Sequence, residues 1–293
     1  MSLVEQTLAR LKKQQLKAAD AGFSNRSPHR APPGPSVDQV LDPTSLARQI
    51  SVDNATLRAR GYFPEMEKDR EFADQYRRIK RPLIDRALQP GNAAVGEPRI
   101  IMITSALAGD GKTFTSINLA LSMALERDIS VLLVDTDVAK RHVSEIFGLD
   151  QRSGLLDALI DDNLDPESLI VPTTTRGLSI LPAGKRVAGT AELLSSNRMR
   201  RIVTSLGARN PRRILLLDSP PLLMTSEART LLKIAGQVVL VVRSGVTPRQ
   251  AVQAAVALFD PKQAGGVVLN QAQGRSPEGY YEYGSYGTDG AQT

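Results

Sequence analysis

One short stretch combines the residue types that phosphate chemistry needs. The segment SALAGDGKT occupies residues 105–113. Gly109 and Gly111 allow the backbone to turn its N–H groups inward around phosphate oxygens. Lys112 supplies a mobile positive charge for the β- and γ-phosphates, and Thr113 offers a hydroxyl ligand for Mg²⁺. The pattern therefore predicts a loop that binds the phosphates of a nucleotide.

The flanking sequence supports this prediction over an ordinary glycine-rich turn. An aliphatic run at 99–104 precedes the loop and the helical pattern FTSINLALSMALE follows it. A phosphate-binding loop requires this succession of strand, loop and helix, because the helix presents its positive end to the phosphates. The generic pattern begins with glycine, where this chain has Ala106. We expect nucleotide contacts from Ala108, Gly109, Asp110, Gly111, Lys112, Thr113 and Phe114.

Three aspartates follow two other aliphatic runs. Asp135 and Asp137 end the run VLLVDTD, and Asp218 ends RILLLD. Ligands of open α/β sheets bind beyond the carboxyl ends of the strands, so these side chains should lie at the edge that holds the phosphate loop. There they could organise Mg²⁺ or accept the proton of an attacking hydroxyl group. Alternatively, an aspartate at a strand end is a cap or turn residue.

The surrounding elements alternate between short aliphatic runs and helical stretches. Continuous apolar runs of this length are typical of strands that are buried on both faces of a parallel sheet. The pattern predicts a doubly wound, mostly parallel α/β domain of the P-loop NTPase type over residues 97–272. The predicted strands are 99–104, 130–135, 178–182, 213–218, 237–242 and 266–270.

The composition excludes several kinds of site. The chain has 293 residues and no cysteine, which excludes disulfides, thiolate zinc sites and a cysteine nucleophile. It has only two histidines, which argues against a metal site built from histidines. A net charge of +6 is spread along the chain, which argues against a specific nucleic-acid surface. No apolar stretch approaches the roughly 20 residues of a membrane span, and no signal peptide is visible. These features fit a cytoplasmic protein.

The two ends of the chain have a different character from the predicted domain. Residues 1–64 comprise a short amphipathic helix and a proline-rich linker. The helix could dock on a partner, lie on a membrane or fray. Residues 65–96 are a helical segment in which Pro82 should kink or restart the helix. Residues 273–293 lack an apolar pattern and are rich in glycine and serine, which predicts a mobile tail.

Together these motifs resemble those of the bacterial tyrosine kinases (BY-kinases) of polysaccharide synthesis and export. The resemblance covers roughly residues 65–290 and is greatest to the cytoplasmic autokinases of exosortase-associated exopolysaccharide systems. That family tolerates Ala106 in its phosphate loop and carries strands that end in D-x-D and D-x-P-P. The matching stretches are VLLVDTD at 131–137, LLLDSPP at 215–221, EARTLL at 227–232, VVLVVRSGVT at 238–247 and VVLN at 267–270.

The resemblance implies ATP and Mg²⁺ as cofactors and a role for each site residue. Lys112 would bind phosphates, and Asp135 would be a base or would organise Mg²⁺ together with Thr113 and Asp218. Asp137 would also lie around the metal. Asn270 would lie near the nucleotide base, although an asparagine can simply end a strand.

The resemblance also implies that the tail is the substrate. Four of the six tyrosines, in a chain poor in aromatic residues, lie between residues 280 and 286. This exposed run without a packing pattern favours function over a sticky low-complexity tail. The expected phosphoacceptors are Tyr280, Tyr281, Tyr283 and Tyr286. Phosphorylation in trans within a homo-oligomer would then regulate exopolysaccharide synthesis or export.

The implied partners are other copies of the chain and a membrane protein. The family builds subunit rings through E-x-x-R-x-x-R, which corresponds here to Asp74, Arg77 and Lys80. A polysaccharide co-polymerase at the inner membrane would activate the kinase. Two alternatives share the fold: a catalytically weak ATP-binding scaffold, and the ATPases of chromosome partitioning and division-site positioning. Those ATPases carry an extra lysine in the phosphate loop, where this chain has Leu107.

Overall fold

The computed structural model describes residues 50–51, 54–62, 70–89 and 96–272. Predictions for the N-terminal helix, the linker and the tyrosine tail lie outside these residues. Within them, the strands are β1 (Glu97–Ser105), β2 (Ser130–Asp135), β3 (Val171–Pro172), β4 (Leu178–Leu181), β5 (Arg213–Asp218), β6 (Ala235–Arg243) and β7 (Ala264–Asn270).

Nine α-helices accompany these strands in the described part of the chain. They are α1 (Asn54–Ala59), α2 (Arg70–Leu88), α3 (Lys112–Ala124), α4 (His142–Ile146), α5 (Leu155–Ile160), α6 (Thr190–Leu194), α7 (Asn197–Ala208), α8 (Ser226–Leu232) and α9 (Arg249–Val256). Two short 3₁₀ turns lie at Pro166–Leu169 and Pro261–Gln263. None of the described helices has the length and apolar character that crossing a membrane requires.

The strands form one sheet in the order β3-β4-β2-β5-β1-β6-β7. Every neighbouring pair is parallel except β3 and β4, which are antiparallel. The predicted doubly wound, mostly parallel fold is therefore confirmed. All six predicted strands are present, with ends shifted by up to two residues. The two-residue strand β3 was not predicted, because so short a strand has no periodicity.

Aliphatic side chains cover both faces of the sheet. In β1, Ile100 and Met102 pack into one buried cluster, whereas Ile101 and Ile103 pack into the cluster on the opposite face. All four side chains are at most 1% exposed. This arrangement explains why the central strands read as unbroken apolar runs rather than as an alternation.

Helix α2 packs beside α3 and continues through Pro82 without interruption. The predicted restart at Pro82 is therefore wrong within the described residues. Proline removes one backbone donor, but Pro82 is exposed, and the buried Leu83 and Ala87 continue the apolar face of the helix. Tertiary packing thus outweighs the local cost of the proline.

Candidate active site

The phosphate loop lies between the end of β1 and the start of α3. Gly109 and Gly111 adopt left-handed backbone conformations, with φ of 89° and 94°, a region that disfavours other residues. A β-carbon on Gly111 would lie 1.9 Å from Nδ2 of Asn270, whereas Gly109 has no heavy atom within 4 Å of the same position. Gly111 is therefore required both by its conformation and by this contact.

Strand pairing brings two of the predicted carboxylates together. Strands β2 and β5 are parallel neighbours, and Asp135 is in register with Asp218. Asp218 accepts hydrogen bonds from the hydroxyl groups of Thr113 (2.8 Å) and Ser116 (2.9 Å) in α3. The carboxylate of Asp218 is thus hydrogen-bonded to the beginning of the helix that follows the loop.

The loop lysine is paired with the third carboxylate. Nζ of Lys112 lies 2.9 Å from Oδ2 of Asp137, and their side chains are 6% and 4% exposed. Oδ2 of Asp137 nevertheless has no aligned hydrogen-bond donor among the described residues. The contact is therefore an ion pair defined by distance, and the lysine charge remains available to a phosphate group placed beside it.

Asp135 is completely buried, and only one of its two carboxylate oxygens is hydrogen-bonded in the described structure. Its Oδ2 accepts hydrogen bonds from the backbone N–H (2.8 Å) and hydroxyl (2.6 Å) of Ser144 in α4. Its Oδ1 has no hydrogen-bond partner in the described structure. A buried oxygen without a partner is costly, so this atom is positioned to accept a proton or to face a cation. Ser144 had no signal in the sequence, because it belongs to no predicted motif.

Burial is the main cause that raises the pKa of both aligned carboxyl groups, and neighbouring carboxylates add to it. The pKa of Asp135 rises to about 7, chiefly through desolvation and then through the charge of Asp218, although the Ser144 hydrogen bonds oppose the shift. Desolvation also raises the pKa of Asp218 to about 6, against the lowering effects of Lys112, Thr113 and Ser116. Near neutral pH the site can therefore hold or release a proton.

The oxygen atoms of this site fit Mg²⁺. The described residues contain no group of three or more His, Cys, Asp or Glu side chains arranged for a metal. Mg²⁺ at phosphate sites is commonly bound through one or two carboxylates, together with substrate phosphates and water. The hydroxyl of Thr113, the carboxylate of Asp218 and the unpartnered Oδ1 of Asp135 provide such ligands.

Two more of the predicted residues, Asp110 and Asn270, make hydrogen bonds that hold the phosphate loop. The Asp110 carboxylate accepts hydrogen bonds from the N–H of Leu107 (3.3 Å) and the hydroxyl of Thr247 (2.7 Å). The side-chain amide of Asn270 donates to the Asp110 carbonyl (3.0 Å). The described contact of this Asn270 amide is thus with the loop backbone.

An aromatic cluster lies next to the loop. The Phe114 ring is 5.6 Å from Tyr62 and 6.4 Å from Phe72, which contacts Tyr76 at 4.8 Å. Burial, followed by the negative charge of Asp218, raises the pKa of Tyr62 to about 12. Beside the cluster, a groove of about 980 Å³ runs between α2 and β7 and reaches Gly111 and Asn270. This groove gives a nucleoside room beside the loop.

Comparisons with known proteins give the relatives of this chain. Residues 98–259 match the AAA domain family designated AAA_31. The chain is 32% identical over 222 residues to the tyrosine-protein kinase YwqD of Bacillus subtilis, covering 74% of this chain and 86% of YwqD. It is 30% identical over 190 residues to the tyrosine-protein kinase wzc of Salmonella typhimurium, covering 63% of this chain and 26% of wzc. The chain therefore spans about a quarter of that Salmonella protein.

A solved kinase domain has the same fold. The tyrosine kinase domain of BceF superposes with a TM-score of 0.60 at 25% identity, covering 78% of this chain and 97% of that domain. The region matched by the AAA domain family, residues 98–259, contains the phosphate loop and all three carboxylates.

Proposed function

Since the chain belongs to the bacterial tyrosine kinases, we propose that it transfers the γ-phosphoryl group of ATP to tyrosines of its own C-terminal segment. The observation that carries this proposal is Asp135, a buried carboxylate at the same strand edge as a phosphate loop. One of its oxygens has no hydrogen-bond partner among the described residues. The proposed acceptors are Tyr280, Tyr281, Tyr283 and Tyr286.

Each residue of the site has a part in the proposed reaction. The N–H groups of the phosphate loop and the Lys112 ammonium bind the phosphates of ATP. Thr113 and Asp218 would hold Mg²⁺, which when bound supplies positive charge to the β- and γ-phosphates. Asp135 would then act as the base rather than as a ligand of the metal. Asp137 pairs with Lys112 and orients its side chain.

In the proposed reaction, catalysis depends mainly on how the tyrosine oxygen is positioned relative to the γ-phosphorus. The phenolic oxygen of tyrosine forms a bond to the γ-phosphorus as the bond to the β,γ-bridging oxygen breaks, and ADP leaves in line. The phenol has a pKa of about 10, so a carboxylate that receives its proton assists the attack. In this proposal the proton goes to Asp135, whose raised pKa makes it a better acceptor than an ordinary carboxylate.

The length of the tail does not decide between transfer within one subunit and transfer to a neighbour. Ten extended residues span up to about 35 Å, and the first acceptor lies eight residues beyond Ala272, the last described residue. Family resemblance supports transfer in trans between subunits. It also supports a role in exopolysaccharide synthesis or export and activation by a membrane partner, both of which remain part of this proposal.

The deciding experiment maps phosphate on the purified protein. We expect incubation with Mg·ATP to place phosphate on Tyr280–Tyr286 by peptide mass spectrometry, and the Lys112→Met variant to show none. ATP binding without phosphate on the tail, even after addition of a membrane fraction to supply an activator, would contradict autokinase activity. That result would favour a nucleotide-binding scaffold or a positioning ATPase instead.

A further inference from the structure

Asp110 places a negative charge inside a loop that is expected to bind negative phosphates. The residue is only 3% exposed, and both carboxylate oxygens are engaged. One accepts from the Leu107 N–H within the loop, and the other accepts from the hydroxyl of Thr247, which lies far along the chain after β6. The carboxylate is therefore held by the protein rather than free to repel a nucleotide.

The Thr247 hydroxyl connects this carboxylate to the end of β6. It donates to Asp110 at 2.7 Å and accepts the backbone N–H of Arg243 at 2.9 Å. A hydroxyl group has one proton to donate and lone pairs to accept, so it can serve both contacts at once. Valine has nearly the same shape but can make neither contact, whereas serine can make both.

Strand β7 holds the other side of Asp110. The side-chain amide of Asn270 donates to the backbone carbonyl of Asp110 at 3.0 Å. The backbone carbonyl of Asn270 accepts the N–H of Ser244 at 2.9 Å. Asp110 is thus joined to the carboxyl ends of β6 and β7 through its side chain and its backbone. We call Asp110, Thr247 and Asn270 the loop clasp.

We propose that Thr247 is a positioning residue, which acts through Asp110 to hold the phosphate loop in the conformation that receives a nucleotide. A loop with two left-handed glycines has many conformations open to it, and ordering it during binding would weaken affinity. A short hydrogen bond to a charged carboxylate resists that disorder more strongly than a neutral one. The inference rests on the nucleotide binding that the proposed function requires.

The test compares Thr247→Val with Thr247→Ser in the full chain, with Thr204→Val as a matched control on the exposed side of α7. We expect Thr247→Val to weaken ADP binding about 10-fold by titration calorimetry, equivalent to about 1.4 kcal/mol. The serine variant and the control should stay within about twofold of wild type, since serine restores both hydrogen bonds. The KM for ATP should rise with the Kd while kcat changes little, as expected for lost uniform binding.

A second readout separates positioning from general stability. Amide exchange at Leu107 should be faster in Thr247→Val, because its carboxylate acceptor is no longer restrained. The increase should exceed that at sheet amides such as Met102, which report the general loss of stability. If Thr247→Val fails to fold, Asp110→Asn carries the same expectation, since its amide cannot accept both donors.

Several outcomes would overturn the inference. Unchanged ADP affinity in Thr247→Val, or equal losses in the valine and serine variants, would show that the hydroxyl does not position the loop. If wild type binds ADP and the valine variant does not, yet no phosphotyrosine ever forms, the clasp stands and the proposed kinase function fails. No ADP binding by wild type would remove both.

Discussion

At the scale of single residues, the site buries three carboxylates and one lysine, each at most 5% exposed. Lys112 can neutralise only part of this negative charge, and its direct partner is Asp137. Asp135 and Asp218 are adjacent across two paired strands, so each makes ionisation of the other less favourable. A proton or a metal ion would relieve this repulsion, which links stability to catalysis at the same atoms.

This arrangement predicts that stability without nucleotide or Mg²⁺ falls as pH rises from about 4 to about 7. The pKa values of Asp135 and Asp218 rise from 3.8 to about 7 and about 6 in the folded state. The native protein then binds more protons than the unfolded chain across that interval, so the free energy of unfolding decreases with pH. Urea unfolding of Asp135→Asn at pH 5 and pH 8 should show a smaller decrease than wild type.

The asparagine variant should also lose kinase activity at every pH, since it cannot accept the tyrosine proton. Asp85→Asn, on the exposed side of α2, serves as a control that alters a carboxylate away from the site. A wild-type decrease that persists undiminished in Asp135→Asn would mean that Asp135 does not carry the buried proton.

Replacing Gly111 in the phosphate loop should weaken nucleotide binding. Gly111→Ala places a methyl group against Asn270 and forces a left-handed conformation on alanine, which costs about 1–2 kcal/mol before the clash is counted. ADP affinity measured by calorimetry should fall at least about 10-fold. Gly148→Ala is the control, because Gly148 has φ of 66° but nothing within 4 Å of its β-carbon position. Equal effects of the two substitutions would exclude the contact with Asn270 as the cause.

At the scale of secondary-structure elements, Lys80 of α2 is hydrogen-bonded to α3. The family resemblance assigns this lysine to contacts between subunits. Nζ of Lys80 donates to the Ser122 carbonyl at 2.7 Å and lies 2.9 Å from a Glu126 carboxylate oxygen. The lysine is 6% exposed, whereas Asp74 and Arg77 form an exposed ion pair on the same helix. In this structure Lys80 therefore serves the fold of one chain.

Lys80→Ala should consequently destabilise the isolated subunit. We expect a loss of about 1–3 kcal/mol in the free energy of unfolding, because a buried carbonyl loses a charged donor. Arg77→Ala should cost less than about 1 kcal/mol, as is usual for exposed ion pairs. Urea denaturation at low protein concentration measures both. A large effect of Arg77→Ala with none from Lys80→Ala would reverse this assignment.

At the scale of the whole molecule, the proposed kinase carries its substrate on the same chain. Each phosphate adds a charge of about −1.5 to −2 at neutral pH. The tail already contains Glu278, Glu282 and Asp289 against a single basic residue, Arg275. Several phosphates would therefore turn it into a strongly acidic segment that repels other acidic groups.

We expect such a change to loosen the proposed homo-oligomer. Fully phosphorylated protein should sediment as a smaller species than a variant with all four tail tyrosines changed to phenylalanine. The comparison should be made at low and high salt, because repulsion between exposed charges weakens as ionic strength rises. Identical sedimentation of the two proteins at low salt would exclude this form of regulation.

The sequence by itself determined the strands, the phosphate loop and the positions of Asp135 and Asp218 at strand ends. These features depend on local patterns: apolar runs long enough to be buried on both faces, and glycines where the backbone must be left-handed. The continuation of α2 through Pro82 was not predictable from such local patterns.

Only the tertiary structure decided which side chains meet. The order of the sheet places β5 between β2 and β1, which brings Asp218 to Thr113 and to Asp135. Contacts of this kind join residues about a hundred positions apart, so no local pattern encodes them. Thr247 and Lys80 also meet partners 137 and 42 positions away, whereas Ser144 lies nine positions from Asp135 but in a different element. Their residue types are common, and only packing gives each of them one specific buried partner.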